Sequence, residues 1–208
     1  MRLQELLAAA GLPALTADQQ VHFENYLALL LRWNARVNLT AIRDEDGILS
    51  RHFVESIACA HALPAEIATL LDFGSGAGFP GIPIAICRPE IAVTLAESQG
   101  KKAAFLSEAV RVLGLSAKVH SGRAEALRAV FDCVTLRAVD KMGLAVQAAT
   151  RLVPAGGWLA PLTTHAELEK LKVVADAEFS WLTPIALPGS DDRILVLGCA
   201  AFARISHR

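Results

Sequence analysis

Three glycines spaced two residues apart, Gly74, Gly76 and Gly78, follow an apolar segment, and prolines close behind them suit the first turn of a helix. Glycine tolerates the positive φ values of a tight turn and lets a ligand approach the backbone closely. The pattern predicts a strand, a glycine-rich turn and a helix that hold a nucleotide-like cofactor. The spacing Gly76-x-Gly78-x-x-Gly81 also fits the dinucleotide fingerprint, which by itself is a weak signal.

A second apolar segment, residues 91–96, ends in Glu97 and precedes an amphipathic helix over residues 101–113. An acid at such a strand end can bind both hydroxyls of a ribose, as it does for adenosine-containing cofactors generally. Two features favour S-adenosylmethionine over a dinucleotide: Asp72, just ahead of the first glycine, and the turn 122–125, which suits a place beside an adenine.

Seven short motifs follow one another along the chain, at residues 38–42, 51–56, 74–83, 97–102, 122–125, 137–138 and 154–157. With these motifs the chain resembles, over nearly its whole length, the bacterial 16S ribosomal RNA guanine-N7 methyltransferases, also called glucose-inhibited division protein B. The resemblance implies a Rossmann-like class I methyltransferase sheet, mostly parallel with an antiparallel last strand. It also implies transfer of a methyl group from S-adenosylmethionine to N7 of a guanine in 16S rRNA of the small subunit.

The residue pattern and the resemblance together assign expected roles to individual residues. The expected cofactor contacts are Gly74, Gly76, Gly78, Phe79, Glu97, Ser98, Ala124, Glu125 and Arg137. Arg137 is also the candidate catalytic residue, since ligands bind outside the carboxyl ends of strands in open parallel sheets. The expected RNA contacts are Asn38, Arg43, His52, Lys101, Arg123 and Arg193.

Each of these residues also has a structural interpretation. Arg137 can be an ion-pair residue, and Lys101 and Arg123 can be solvated charges at helix starts. For His52, a hydrogen-bonded structural role is slightly favoured. Asn38 is expected to close a turn through its own side chain rather than to contact substrate.

The chemistry of the target explains which motifs are absent. N7 of a neutral guanine carries an exposed lone pair, so that methyl transfer requires position and orientation but no base. Enzymes that methylate exocyclic amines carry an Asn/Asp-Pro-Pro-aromatic loop after the fourth strand, where this chain has Leu136-Arg137-Ala138-Val139. Cys133 lies inside that predicted strand and is not placed as a nucleophile. A ring-nitrogen target fits both observations.

One departure from the family follows the fifth predicted strand. Family members usually have a lysine-glycine pair there, whereas this chain has Leu162-Thr163-Thr164 and lacks that cation. Arg193, which matches a family arginine, is expected to fill part of the role. The missing lysine keeps open a non-catalytic, ribosome-associated protein that binds the cofactor. The other alternative, a dinucleotide-dependent oxidoreductase, lacks support because the chain has no Tyr-x-x-x-Lys pair.

Composition bounds the class of protein. The 208 residues are 53% hydrophobic, enough for one core, and we expect a single domain over residues 1–208. It is divided into a helical extension, residues 1–63, and a cofactor-binding core, residues 64–208. The net charge of -1 excludes a strongly basic coat for nucleic acid, so that RNA contacts must come from a local patch or from shape. The expected protein is a cytoplasmic monomer without a bound metal or a membrane span.

Local patterns predict the elements. Thr16 and Gln19 form a capping box for a helix that ends near Arg36, and Asp46 is expected to cap the next helix. Apolar segments alternating with helices are typical of a parallel sheet covered on both faces. The strands are predicted near residues 68–73, 92–96, 117–120, 131–136 and 157–162. Residues 181–187 and 194–199 predict a closing antiparallel pair.

Overall fold

The computed structural model of the protein describes residues 2–175 and 178–202. Its centre is a sheet whose parallel strands lie in the order β3-β2-β1-β4-β5. They are β1 (Thr69–Phe73), β2 (Ala92–Glu97), β3 (Lys118–Ser121), β4 (Cys133–Arg137) and β5 (Trp158–Thr164). The predicted parallel strands are therefore confirmed. Because the order reverses direction between β1 and β4, ligands are expected above the carboxyl ends of these strands.

Helices cover both faces of the sheet. On one face α5 (Gly81–Cys87) and α6 (Gly100–Val112) pack into one apolar core together with the N-terminal helices. On the other face α7 (Met142–Thr150) and α8 (His165–Ala175) form a second core. Burial of both faces explains why β1, β2, β4 and β5 consist mostly of apolar residues, whereas the edge strand β3 is more polar and less buried.

The closing antiparallel pair is present, although each of its arms is interrupted. The first arm contains β6 (Phe179–Trp181) and β7 (Ile185–Ala186), and the second contains β8 (Arg193–Leu195) and β9 (Gly198–Ala200). Both β8 and β9 pair antiparallel with β5. The second arm is interrupted between β8 and β9, opposite Pro161 of β5. The Pro161 carbonyl accepts a hydrogen bond from Val196 N, but Pro161 has no N–H to donate in return.

Within residues 2–68, five helical segments precede β1: α1 (Arg2–Ala9), α2 (Ala17–Asn34), α3 (Glu45–Gly47), a π-helix (Ile48–Val54) and α4 (Glu55–Ala62). The capping box of Thr16 and Gln19 on α2 is confirmed, with both reciprocal hydrogen bonds formed. None of the described helices has the length and apolar character needed to cross a membrane.

The predicted cap of the next helix was wrong by two residues. Asp44, and not Asp46, caps α3, because the Asp44 backbone is extended and its Oδ1 accepts from Gly47 N at 2.6 Å. The Asp46 carboxylate instead pairs with Arg2 Nε at 2.7 Å. The π-helix that follows is a rare conformation, often found at functional sites.

Candidate active site

A cavity of about 710 Å³ lies over the carboxyl ends of β1, β2, β4 and β5, closed on one side by residues 39–42 and the π-helix. A second cavity of about 380 Å³ adjoins it around the turn 122–125. The two share the lining residues Gly74, Ser98, Gln99, Val139 and Asp140. The predicted position of the site, at the carboxyl edge of the sheet, coincides with this pair of cavities.

The glycine loop faces the larger cavity with two of its three glycines. Gly74, Gly76 and Gly78 have φ values of +73°, +57° and +93°, which only glycine adopts readily. Gly74 and Gly76 line the cavity. Gly78 is buried beneath the loop, where a Cβ would lie 2.8 Å from the Tyr26 hydroxyl and 2.5 Å from Ile82 Cδ1. Gly78 therefore serves the packing of the loop.

Tyr26 joins the N-terminal extension to this loop and was not singled out from the sequence as a site residue. Its fully buried hydroxyl donates to the Ala77 carbonyl at 2.5 Å. Its ring stacks on Phe53, with centroids 5.2 Å apart, and packs against Phe79 at 5.3 Å. The helical spacing of apolar residues in α2 marks Tyr26 as a core position, but no local signal identifies the partner of its hydroxyl.

Glu97 organises the backbone around the cavity. The side chain is 6% exposed, and its Oε2 accepts from Gly76 N at 2.9 Å while its Oε1 accepts from Gln99 N at 2.7 Å. Phe79, Ser98 and Arg137 line the larger cavity beside it. Ala124 and Glu125 line the smaller cavity. Apart from Gly78, every expected cofactor residue thus lines one of the two cavities.

Asp72 was predicted to favour S-adenosylmethionine, but the structure places its side chain away from both cavities. The carboxylate is 1% exposed; Oδ2 accepts from Gly81 N at 3.1 Å and Oδ1 from Thr135 Oγ1 at 3.0 Å. Burial raises its pKa to about 6. A Cβ on Gly81 would lie 2.7 Å from Asp72 Oδ2, so the glycine permits this contact. Asp72 therefore ties helix α5 to β1 and β4.

An ion cluster of Glu55, Arg137 and Arg193 lines the larger cavity. Glu55 is completely buried; its Oε2 accepts from Arg137 Nη2 at 2.9 Å and its Oε1 from Arg193 Nε at 2.7 Å. Arg137 Nη2 also donates to the Arg51 carbonyl at 2.7 Å. The ion pair that was the structural alternative for Arg137 is thus present, on a residue that also lines the cavity. Nothing in the local sequence marks Glu55 as its partner.

His52 is held between this cluster and the segment before the π-helix. Arg137 Nη1 can only donate, so the His52 Nδ1 that lies 2.9 Å away accepts. The Nε2–H then donates to Thr40 Oγ1 at 2.7 Å. Burial, together with the charge of Arg137, lowers the pKa of His52 to about 3. The ring also stacks on Phe79, with centroids 4.7 Å apart, and the imidazole is neutral at pH 7.

The turn that leads into this segment is closed by Asn34 and not by Asn38. Asn34 Oδ1 accepts from the backbone N–H groups of Leu39 and Thr40, at 2.9 and 3.1 Å. The exposed Asn38 instead accepts from Arg43 Nη2 at 2.8 Å. The expected role of Asn38 was wrong because the buried Asn34 at the end of α2 reaches these N–H groups first. Neither Asn38 nor Arg43 lines either of these two cavities.

The remaining cations lie at different places around the mouth. Lys101 is exposed on the first turn of α6 and lines neither cavity, whereas its neighbour Lys102 lines the larger one. Arg123 lines the smaller cavity. At the end of β5, where family members usually carry the lysine that this chain lacks, Thr163 Oγ1 donates to Glu167 Oε2 at 3.1 Å.

Comparison with known proteins identifies the family. A family described as rRNA small subunit methyltransferase G matches residues 19–188. The chain belongs to this family. A relative of that name from Roseiflexus castenholzii (strain DSM 13941 / HLO8) is 40% identical over 210 residues, covering 94% of this chain and 90% of the relative. Another, from Stenotrophomonas maltophilia (strain K279a), is 42% identical over 193 residues, covering 90% and 88%. The resemblance inferred from the seven motifs is thereby confirmed.

A solved structure supports the fold class. The ribosomal protein L11 methylase from Lactobacillus delbrueckii subsp. bulgaricus superposes with a TM-score of 0.60 over 71% of this chain and 77% of its own, at 11% identity. At this identity the likeness concerns the fold alone. The predicted class I methyltransferase sheet is confirmed, and the oxidoreductase alternative gains no support.

Proposed function

We propose that the protein transfers the methyl group of S-adenosylmethionine to N7 of a guanine in 16S rRNA, within the small ribosomal subunit and as a monomer. The observation that carries this proposal is the pair of adjoining cavities at the carboxyl edge of the sheet. The larger cavity contains both the glycine loop with Glu97 and the Glu55 ion cluster, and the smaller cavity contains the turn 122–125. We call the side with the glycine loop, Glu97 and the turn 122–125 the first compartment, and the side with the Glu55 ion cluster the second. A methyltransferase needs two such compartments, open to each other, for its cofactor and its base.

The residues of the first compartment fit the cofactor. The nearest heavy atom to a Cβ on Gly76 would be 3.9 Å away, so the space beside this glycine is open to a ligand. Each Glu97 oxygen already accepts one N–H, and a carboxylate oxygen has a second lone pair for a ribose hydroxyl. Ala124 and Glu125 offer a surface for the adenine. When bound, the cofactor supplies an electrophilic methyl group.

The residues of the second compartment position the base. N7 attacks with its own lone pair, so the site has no proton to remove. The Glu55 pairs hold Arg137 and Arg193 in place beside the cavity, and His52 is fixed through both ring nitrogens. These contacts support a mechanism in which the chain orients two reactants, an effect worth about 7–11 kcal/mol when the geometry is near attack.

The direct test measures methyl transfer from labelled S-adenosylmethionine to small subunits taken from cells that lack the enzyme. We expect label at N7 of one guanine, and calorimetric binding of S-adenosylhomocysteine but not of NADH. Binding without transfer would favour the non-catalytic alternative. Heat from NADH and none from S-adenosylhomocysteine would overturn the proposal.

The rate of methyl transfer in a single turnover is expected to be flat from about pH 6.5 to 8.5, because no base takes part. His52, with its pKa lowered to about 3, stays neutral over this range. His52→Ala is expected to slow the reaction by disturbing Arg137 while the profile stays flat. A bell-shaped profile in the wild-type enzyme that disappears in His52→Ala would contradict this account.

Methylation is expected to fall only modestly with salt, since the net charge of -1 leaves local patches to make few phosphate contacts. Each neutralised phosphate contributes about 0.7–0.9 to the slope of log rate constant against log salt. Lys101→Ala is expected to reduce this slope by about one, with little change in cofactor affinity. Arg111→Ala, at the opposite end of α6, is the matched control. Equal salt slopes for the two variants would show that Lys101 does not contact an RNA phosphate.

A further inference from the structure

The carboxylates that line the larger cavity differ in how far their oxygens are already engaged. They are Glu55, Glu97, Asp140 and Glu167. Both oxygens of Glu55 are bound by arginines, and both oxygens of Glu97 accept backbone N–H groups. Asp140 also lines the smaller cavity, on the cofactor side. Glu55 and Glu97 are therefore already bound on both oxygens, and Asp140 lies on the cofactor side.

Glu167 is the remaining acid, and it follows Thr164, which pairs with Arg193 of the ion cluster across β5 and β8. It stands in the first turn of α8, directly after β5. Within residues 2–175 and 178–202, its Oε2 accepts one hydrogen bond, from Thr163, and its Oε1 accepts none. Thr163 is itself 6% exposed and is fixed in the β5 strand. The bond from Thr163 orients a carboxylate that keeps most of its acceptor capacity free.

Guanine has a matching edge. Its Watson–Crick edge presents two adjacent donors, N1–H and the N2 amino group, whereas adenine presents an acceptor at N1. An ionised carboxylate only accepts, so it pairs with the guanine edge and repels the adenine edge. N7 lies on the opposite side of the purine. A guanine that turns N7 toward the cofactor therefore turns its two donors away from the cofactor.

The order of the strands provides the required separation. The glycine loop follows β1 and Glu167 follows β5, with β4 between them. Two strand spacings amount to about 10 Å, which leaves room for a purine ring with a hydrogen bond at its far edge. Arg137, at the end of β4, would then lie below the base.

We propose that Glu167 determines specificity for guanine by accepting hydrogen bonds from N1–H and the N2 amino group of the target base. This inference rests on the proposed function and assigns the recognition of the base within that site. Glu167 takes no part in the chemical step, because its contacts are to the edge opposite N7.

The test combines a change in the enzyme with a change in the base. Glu167→Ala and the wild-type enzyme are assayed on small subunits reconstituted with guanine or with inosine at the target position; inosine lacks the N2 amino group but keeps N7. On guanine, Glu167→Ala is expected to lower kcat/KM by about tenfold to a hundredfold, as for the loss of a charge-assisted hydrogen bond. On inosine, the same substitution is expected to cost clearly less. Glu169→Ala, two residues along α8 and paired with Lys172, is the control and is expected to match the wild type.

The outcomes separate this inference from the function on which it rests. An absence of methylation by the wild-type enzyme on guanine would reject the function. If the wild-type enzyme methylates guanine and the kcat/KM of Glu167→Ala stays within twofold of the wild-type value, the role of Glu167 would be rejected and the function would stand. An equal loss on guanine and inosine would also reject it, since the effect would not depend on the N2 amino group.

Discussion

Glu55→Ala is expected to lower the free energy of unfolding by about 3–5 kcal/mol, because it leaves two arginines next to the core without their counter-charge. The side chains of Arg137 and Arg193 are only 13% and 25% exposed, and both donate to this single carboxylate. Urea denaturation at pH 7, followed by tryptophan fluorescence, measures the change. The same variant is expected to lose methyl transfer, because Arg137 and Arg193 border the cavity.

Two variants control this experiment. Glu55→Gln keeps the volume and one acceptor, and is expected to cost less than Glu55→Ala. Glu169→Ala removes a carboxylate that is 79% exposed and pairs with Lys172 at the surface, and is expected to change stability by less than about 1 kcal/mol. A loss of less than 1 kcal/mol for Glu55→Ala would show that the arginines find other partners and that the cluster does not support the fold.

The affinity for S-adenosylhomocysteine is expected to fall by about 1.5–3 kcal/mol in Glu97→Ala, which corresponds to the loss of one charge-assisted hydrogen-bonded pair. The substitution removes the proposed acceptor for the ribose and also releases the N–H groups of Gly76 and Gln99. Isothermal titration calorimetry at pH 7 gives the dissociation constants. Glu97→Gln, which keeps one acceptor oxygen, is expected to have a dissociation constant between those of the wild type and Glu97→Ala.

Glu90→Ala is the matched control for this titration. Glu90 is exposed and pairs with Arg88, and it lines neither cavity. Its removal is expected to leave the dissociation constant unchanged. An unchanged constant for Glu97→Ala as well would mean that the ribose is held elsewhere.

Features that depend on neighbouring residues were predictable from the sequence. The β1 and β4 strands, buried on both faces, are mostly apolar in the sequence, and the capping box of Thr16 and Gln19 needs only residues three apart. The left-handed φ values of the glycine loop follow from the glycines themselves. These elements suffice to place the site at the carboxyl edge of the sheet.

Features that depend on distant partners were not predictable in this way. Tyr26 lies 51 residues from the Ala77 carbonyl to which it donates. The burial of Asp72 depends on Gly81 and Thr135, and on which face of β1 it occupies. A motif reports that an acid or a tyrosine is present, but only the packed fold determines whether it meets a ligand or another part of the chain.

The Glu55 cluster also constrains the order in which the site is completed during synthesis. Arg137 follows Glu55 by 82 residues and Arg193 follows it by 138. An emerging chain therefore presents Glu55 and the glycine loop long before either arginine has left the ribosome, and a lone carboxylate at that depth is costly to bury. Glu55, the first residue of α4, has both of its arginine partners only once β8 has been made. We therefore expect the ion cluster beside the cavity to be completed late, after nearly all of the sequence has been translated.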